Sequence, residues 1–523
     1  MRLNRVWICC LLSVYMAAAQ EATAPIRDFK TLLKQLNDEN FQTRQEASAQ
    51  LRNLPASALP ELESALKDPS LDPEVRNRLL GAHWLLKLKA RRRDIYNQAN
   101  KDLDWTHKSM VDGFESFGAK DPKWDRDARE GLTKLINAWR KGQDRALCLE
   151  AFESLNKAVN NGCLDPMVLY GRARLYDLVI RKELKVGIEM QTSAVQGVKE
   201  SGYHPMRKAY SYAYATKMVA RKNITLTGDQ IETAKQWLVE GKAVWLEACK
   251  DPEVPAVCLH DVAEIFVESS HYFNKDGAEQ VETFSRELKA ARPQSGWGDH
   301  LKGNFYVDYA WEARGGGWAS SVTEDGWKLF KDRLDVAAAA LTSAYEIEPL
   351  NRKASLRMMS VELGQSQGRE RLDLWYRRAR EADPDSMEVI RSKLWYLMPR
   401  WHGSHEEMRQ FGHELLAEGD WETSAPMHLI EIHRMISGDK KDAKHYLEPE
   451  VWKELSMVYE AAMQVFPKEM MVKSGYCAAA CQCEQWAVAK KLFDELGDKV
   501  EVKAFGTKKL VDQMRTKARQ EAP

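Results

Sequence analysis

Three strings in the chain look chemical at first sight. Gly364-Gln365-Ser366-Gln367-Gly368 fits the G-x-S-x-G pattern of a hydrolase nucleophile elbow. That chemistry needs a strand ending before the serine and a helix starting after it, so that the strained turn exposes the hydroxyl. Here the string falls between two helical patterns, ahead of Leu372 and Tyr376, and reads as an interhelix turn. Cys477, Cys481 and Cys483 form C-x3-C-x-C. The first two share a helical face while the third lies about 160° around from Cys481, so one rigid helix cannot converge three thiolates on a metal. They read as small buried residues. His402, His405, His413, His428 and His433 crowd one segment, but His413-Glu414 is followed by Ala417 where an H-E-x-x-H string needs its second histidine. No metal site and no cofactor are expected.

Aromatic residues offer more. Trp297, Trp311, Trp318 and Trp327 fall close together in a chain with 17 tryptophans. In helical proteins such residues ordinarily fill space between helices, but they also stack on sugar rings or peptides. The candidate binding residues are Trp311, Arg314, Trp318 and Trp327, with Trp401 further along. The triple glycine at 315–317 should end a helix just after Trp311, leaving Trp318 as the exposed member. Asp308, Glu312, His300, Tyr309 and Arg314 hold the ingredients of a glycan-active site, yet no spacing selects them as a set. No catalytic residue is assigned, and the protein is expected not to be an enzyme.

The elements that must position these residues are helices. Apolar positions recur at 3 and 4 residues rather than 2, with glycine and proline as punctuation. Leu33, Leu36, Asp38, Arg44, Ala47 and Leu51 are echoed by Leu62, Leu66, Asp68, Arg76, Leu79 and Leu80. The basic run Lys87-Leu88-Lys89-Ala90-Arg91-Arg92-Arg93 is expected to close the last helix there, where cations meet the negative end of the dipole. Residues 94–300 read as helical with turns at Asn161-Gly162, Asp165-Pro166 and Asp251-Pro252, and fit no named repeat. Beyond them Ala337, Leu341, Ala344 and Pro349 share their offsets with Leu372, Tyr376, Ala379 and Pro384. Leu455, Tyr459, Ala462 and Pro467 repeat the pattern, and Ala489, Phe493 and Leu496 carry part of it.

Arg2 and Arg5 precede an apolar run from Val6 to Met16, followed by Ala17-Ala18-Ala19. This reads as a cleaved secretory signal, too short to span a bilayer, with cleavage near Ala19. Lys and Arg number 77 against 77 Asp and Glu, a neutrality that gives no footprint for nucleic acid or an anionic membrane. Cys148, Cys163, Cys249, Cys258, Cys477, Cys481 and Cys483 are too sparse to form a disulfide scaffold, and which of them pair is not readable. Asn223-Ile224-Thr225 is a glycosylation sequon that matters only in a eukaryote.

The paired patterns before residue 93 resemble HEAT-type repeats, and those after 337 the second helices of TPR repeats. Tyr309-Ala310-Trp311-Glu312-Ala313-Arg314-Gly315-Gly316-Gly317-Trp318-Ala319, Thr323 to Phe330, and Pro399-Arg400-Trp401-His402-Gly403-Ser404 with Met408 and Phe411 resemble an uncharacterised family of secreted bacterial TPR-like proteins. The likeness covers roughly residues 297–500. It implies fold, export and bacterial origin, and no activity. The expected protein is therefore all-α: an α-solenoid with a signal at 1–19, HEAT-like repeats at 25–93, unassigned helical repeats at 94–300 and TPR-like repeats at 301–523. It would be a periplasmic or extracellular scaffold for protein partners of the cell envelope, with no membrane contact after cleavage. The alternative is a glycan-binding or polysaccharide-active protein using residues 297–327.

Overall fold

The computed structural model describes residues 29–180, 183–220 and 226–522, so the signal and the sequon lie outside the described residues. The described residues form an all-α structure with no strand. They fall into two compact units, residues 91–384 and residues 1–90 with 385–523.

The unit of residues 91–384 contains the later part of α4 (Pro73–His107), then α5 (Gly113–Phe117), α6 (Asp125–Arg140), α7 (Arg145–Asn160), α8 (Pro166–Leu175) and α9 (Leu184–Gln196). There follow α10 (Pro205–Val219), α11 (Gly228–Cys249), α12 (Ala256–Asn274), α13 (Gly277–Ala291), α14 (Trp297–Arg314), α15 (Glu324–Ile347), α16 (Ala354–Gln365) and α17 (Arg369–Ala382). Consecutive helices pair as hairpins: α10 with α11, α12 with α13, α14 with α15, α16 with α17. The first members also touch one another in sequence, α10 to α12 to α14 to α16, and form one layer. This is solenoid stacking, in which each hairpin leaves an apolar face for the next to cover.

The small positions of the repeat pattern make that stacking close. Ala337, Leu341 and Ala344 on α15 and Leu372 and Ala379 on α17 are wholly buried. Both helices stop two residues before their proline, Pro349 or Pro384, which has no amide hydrogen to continue the ladder. Gly303 on α14 faces α15 so closely that a Cβ there would meet Leu341 Cγ at 2.5 Å. The interior is aromatic where hairpins meet: Trp245 is fully buried, packs edge-on against Phe284 at 4.7 Å and donates from Nε1 to the Leu259 carbonyl at 2.9 Å.

The other unit holds α1 (Phe29–Leu36), α2 (Phe41–Arg52), α3 (Leu59–Leu66) and the start of α4. Its second stretch is α18 (Met387–Tyr396), α19 (His405–Glu418), α20 (His428–Lys440), α21 (Pro449–Val465), α22 (Met470–Gln482), α23 (Trp486–Leu496), α24 (Val502–Phe505) and α25 (Lys508–Glu521). Leu36, Ala47, Leu51, Leu62 and Leu79 are buried as the repeat pattern requires, but Leu80 is 47% exposed, because α4 turns it away from that core. Arg44 and Arg76 do tie their turns, through backbone carbonyls: Arg44 to Asp38 and Glu39 at 2.9 and 3.0 Å, Arg76 to Leu66 and Asp68 at 3.0 and 2.5 Å. The Asp38 and Asp68 side chains instead accept backbone amides at the same turns.

The basic run at 87–93 does not close a helix. It lies inside α4, which continues to His107. Its cations cap the carbonyl ends of other helices: Lys89 donates to Arg52 O at 3.0 Å, and Arg91 to Leu350 O at 2.8 Å and Ala382 O at 3.2 Å. The negative helix termini that these cations meet belong to neighbouring helices.

Cys477, Cys481 and Cys483 are buried, as are Leu455, Tyr459, Ala462, Ala489, Phe493 and Leu496 around them. Among the described residues all seven cysteines are free. No described helix is long and apolar enough to cross a membrane.

Replacing Trp245 by Ala should cost about 3–5 kcal/mol, through the cavity left behind and the orphaned Leu259 carbonyl. Chemical denaturation of the two proteins measures it, and a cost under about 1 kcal/mol would mean that the α11–α12–α13 core is not packed as described.

Candidate functional site

A cleft of about 470 Å³ opens between α12 and α14. Glu264, Glu268 and His271 reach it from α12, and Lys275 from the residue that ends that helix. The spacing of 4 and 3 residues puts the first three on one helical face. The other face, with Val262, Ile265 and Phe266, is in the core. From α14 come Asn304, Asp308 and Glu312 at the same helical interval, with Phe305 and Tyr309 as aromatic wall. Phe305 and Tyr309 lie 5.4 Å apart, and His271 meets both edge-on at 5.5 and 5.4 Å. Arg333 of α15 covers Tyr309 from behind, its guanidinium carbon 3.2 Å from the ring centre.

The four carboxylates differ in their partners. Glu312 accepts from His271 at 2.9 Å, Asp308 from Arg357 at 2.7 Å, and Glu264 from the neutral Asn304 amide at 2.7 Å. Glu268 accepts no hydrogen bond and forms no ion pair among the described residues. The cleft walls exclude enough water to push its pKa up; Lys217 opposes this, and Glu264 and Asp308 add to it. Glu312 moves the other way, held below the carboxylate range by the His271 hydrogen bond. One cleft thus holds one carboxyl inclined to keep its proton and one inclined to lose it.

Beside the cleft His260 and His300 are buried, with His300 Nδ1 2.9 Å from His260 Nε2. His260 Nδ1 faces the Asp261 carboxylate at 3.4 Å. Asp261 only accepts, which assigns the proton to His260 Nδ1 and makes His260 Nε2 the acceptor of His300 Nδ1–H. His300 Nε2 then has no partner among the described residues. Burial, then His260, holds the His300 pKa well below the ordinary histidine range, in keeping with a neutral ring. His260, Asp261 and Glu264 bring ligand-type atoms within 4.8 Å of one another, the set among the described residues that could hold a cation. Lys353 Nζ competes for Asp261 at 3.8 Å.

Most of the residues singled out by sequence cluster around the end of α14. Gly315, at φ 73°, ends the helix. Trp311 packs edge-on against Phe330 at 4.9 Å, whereas Trp318 is 81% exposed and Trp327 39%. Arg314 lies 5.6 Å from the Trp311 ring and 5.7 Å from Trp327, and donates to the Gly315 and Gly317 carbonyls at 3.1 Å. Trp401, in the other unit, is half-buried. Of the five glycan-type residues, Asp308, Tyr309 and Glu312 line the cleft; Arg314 and His300 do not. The α12 wall was missed. Its signal was a polar stripe, Asp261-Glu264-Glu268-His271, in an otherwise apolar helix.

Ser366 sits in the α16–α17 turn at φ 54°, with helix rather than strand before it, so the elbow's context is absent. The histidine-rich segment is ordered around Glu454 of α21, which is 5% exposed. Glu454 accepts from Arg409 at 2.6 Å and His413 at 2.9 Å, and His433 Nε2 lies 2.8 Å from its other carboxylate oxygen. Behind them His433 Nδ1 lies 3.1 Å from His445 Nε2. Burial alone would raise the Glu454 pKa, but bonds from His433, Arg409 and His413 outweigh it and hold it far below the carboxylate range. His405 pairs with Asp439 at 2.9 Å, and His428 with the Ser424 carbonyl at 3.0 Å.

Two measurements follow. Glu454→Gln should cost about 1–3 kcal/mol, since an amide answers fewer of the groups that Arg409, His413 and the buried His433 turn toward it. A carboxylate with a depressed folded pKa stabilises above its unfolded pKa and loses that contribution as pH falls. The melting temperature of the parent should therefore drop below about pH 4.5 more steeply than that of the variant; parallel curves would remove Glu454 from the stability argument. Trp318→Ala should change stability by less than about 0.5 kcal/mol, and a core-sized loss would place that ring inside the protein.

Residues 361–420 match the profile of a family described as a domain of unknown function, DUF4034. The stretch runs from the end of α16 into the loop after α19 and lies within the region of the TPR-like resemblance. No curated protein matches the chain. Among solved structures the chain is similar to a monomeric mutant of IFIT1 with Gppp-AAAA: 12% identity, 94% of this chain and 99% of that chain covered, TM-score 0.24. A second IFIT1 mutant, with m7Gppp-AAAA, matches at 13% identity with the same coverage and a TM-score of 0.23. Superpositions this loose carry no argument about fold or ligand.

Proposed function

We propose that the protein is an exported helical-repeat scaffold, without catalytic activity, that binds a protein partner of the cell envelope through the α12–α14 cleft. The observation that supports this reading is the cleft itself: an open, aromatic-walled recess on one layer of stacked hairpins. Such layers suit extended partners. Glu312, at the cleft, and Arg314, beside the exposed Trp318, lie on the same helix, so one partner could engage both places. We read residues 25–93 as HEAT-type and 301–523 as TPR-type repeats on their sequence offsets, and export on the leader at 1–19. Cleavage near Ala19 would leave a periplasmic chain beginning close to Gln20, which N-terminal sequencing of envelope-fraction protein checks.

A photo-crosslinking residue at Tyr272, which lines the cleft, is expected to capture a partner from the native envelope. The same residue at the exposed Val239 is expected to capture none. Equal capture at both positions, or none at either, would contradict the scaffold reading.

A second reading is favoured by one observation, the opposed carboxyls Glu268 and Glu312 beside Phe305 and Tyr309. Glycan hydrolysis uses a protonated acid and an ionised partner of this kind. Release of reducing sugar from a polysaccharide panel, abolished by Glu268→Gln, would establish it in place of the first.

A further inference from the structure

The cleft walls carry more negative than positive charge. Glu264, Glu268, Asp308 and Glu312 face it, against Lys275 and, when protonated, His271. The internal pairings leave an imbalance with a location. Asp308 has Arg357 and Glu312 has His271, but Glu264 has only a neutral amide, and Glu268, one turn further along α12, has no partner among the described residues. Two like charges at that spacing repel. Beside them stands the half-buried ring of Tyr309, with Phe305 buried behind it, and an aromatic wall of this kind attracts a cation and covers an aliphatic stem. A small metal ion would use the oxygens but not the rings; a basic side chain uses both.

Resting on the scaffold reading, we infer that the α12–α14 cleft receives an arginine or lysine side chain of the partner polypeptide. The cation lies against Glu264 and Glu268, with its stem along Phe305 and Tyr309. Glu268 shares this space with Glu264 and Asp308, which with burial push its pKa up, and with Lys217 and Lys353, which oppose them; its proton must leave for the cation to bind, so affinity falls as pH falls.

The test uses the whole mature chain and a capped pentapeptide with arginine at its centre and alanines around it. Its twin carries citrulline, which keeps the shape and removes the charge. Calorimetry at neutral pH and low salt should give about tenfold tighter binding of the arginine peptide, weakening with added salt. Glu268→Gln should lose about the same factor, while Glu268→Asp should recover part of it. Folding is a built-in control: Glu268→Gln removes a carboxylate repelled by its neighbours, so its melting temperature should match or exceed the parent's.

Equal affinity for the two peptides, absence of binding, or binding indifferent to Glu268→Gln would overturn the inference. The two levels separate cleanly. Loss of capture at Tyr272 sinks the scaffold reading, whereas capture that persists unchanged in Glu268→Gln sinks only the basic-side-chain assignment.

Discussion

A pair of antiparallel helices can bury only the surface between them, and each pair in this protein leaves a second apolar face for its neighbour to cover. That requirement fixes where small residues must stand. Ala337 and Ala344 on α15, Ala379 on α17, Ala462 on α21 and Ala489 on α23 are buried where a larger side chain would hold helices apart. Gly303 does the same for α14 against α15. The prolines that follow three of these helices then set the length of each step.

Polar chemistry is confined by the same stacking to places where a helix face is not needed for packing. On α12 one stripe is free, and it carries Glu264, Glu268 and His271, while Val262, Ile265 and Phe266 hold the core. Where Glu454 is instead drawn into the interior, it is answered. Glu454 has three cationic or imidazole donors and behaves as a fixed carboxylate. Glu268 is the contrast: the walls crowd it, Lys217 and Lys353 act on it only through space, and no hydrogen bond or ion pair among the described residues holds it. A structural carboxylate and a candidate binding carboxylate are separated here by partners, not by residue type.

Much of the fold was legible because helical period and repeat offset are local properties. The positions at 337, 341 and 344 and their later copies are buried as their spacing demanded, and α14 ends at its glycines with Trp318 exposed. The basic run at 87–93 was misread because a helix terminus and a neighbour's terminus attract the same cations, and sequence does not say which is near. Leu80 was misread because the apolar stripe of α4 shifts as that long helix continues. The α14 wall of the cleft, Asp308, Tyr309 and Glu312, was visible as unusual residues around the tryptophans. Its α12 partner, some 40 residues earlier, meets it only through stacking of the hairpins, as the 2.7 Å Asn304–Glu264 bond shows. The Glu454 network is of the same kind: the histidines were conspicuous, and the carboxylate that organises them lay on another helix.

The central claim is that the α12–α14 cleft is the binding surface of this scaffold. Hydrogen exchange of the full chain, read by mass spectrometry with and without the arginine-centred pentapeptide, tests it most directly. The account predicts slowed exchange confined to residues 256–274 and 297–314. Protection centred elsewhere, or an exchange pattern unchanged by saturating peptide, would contradict it.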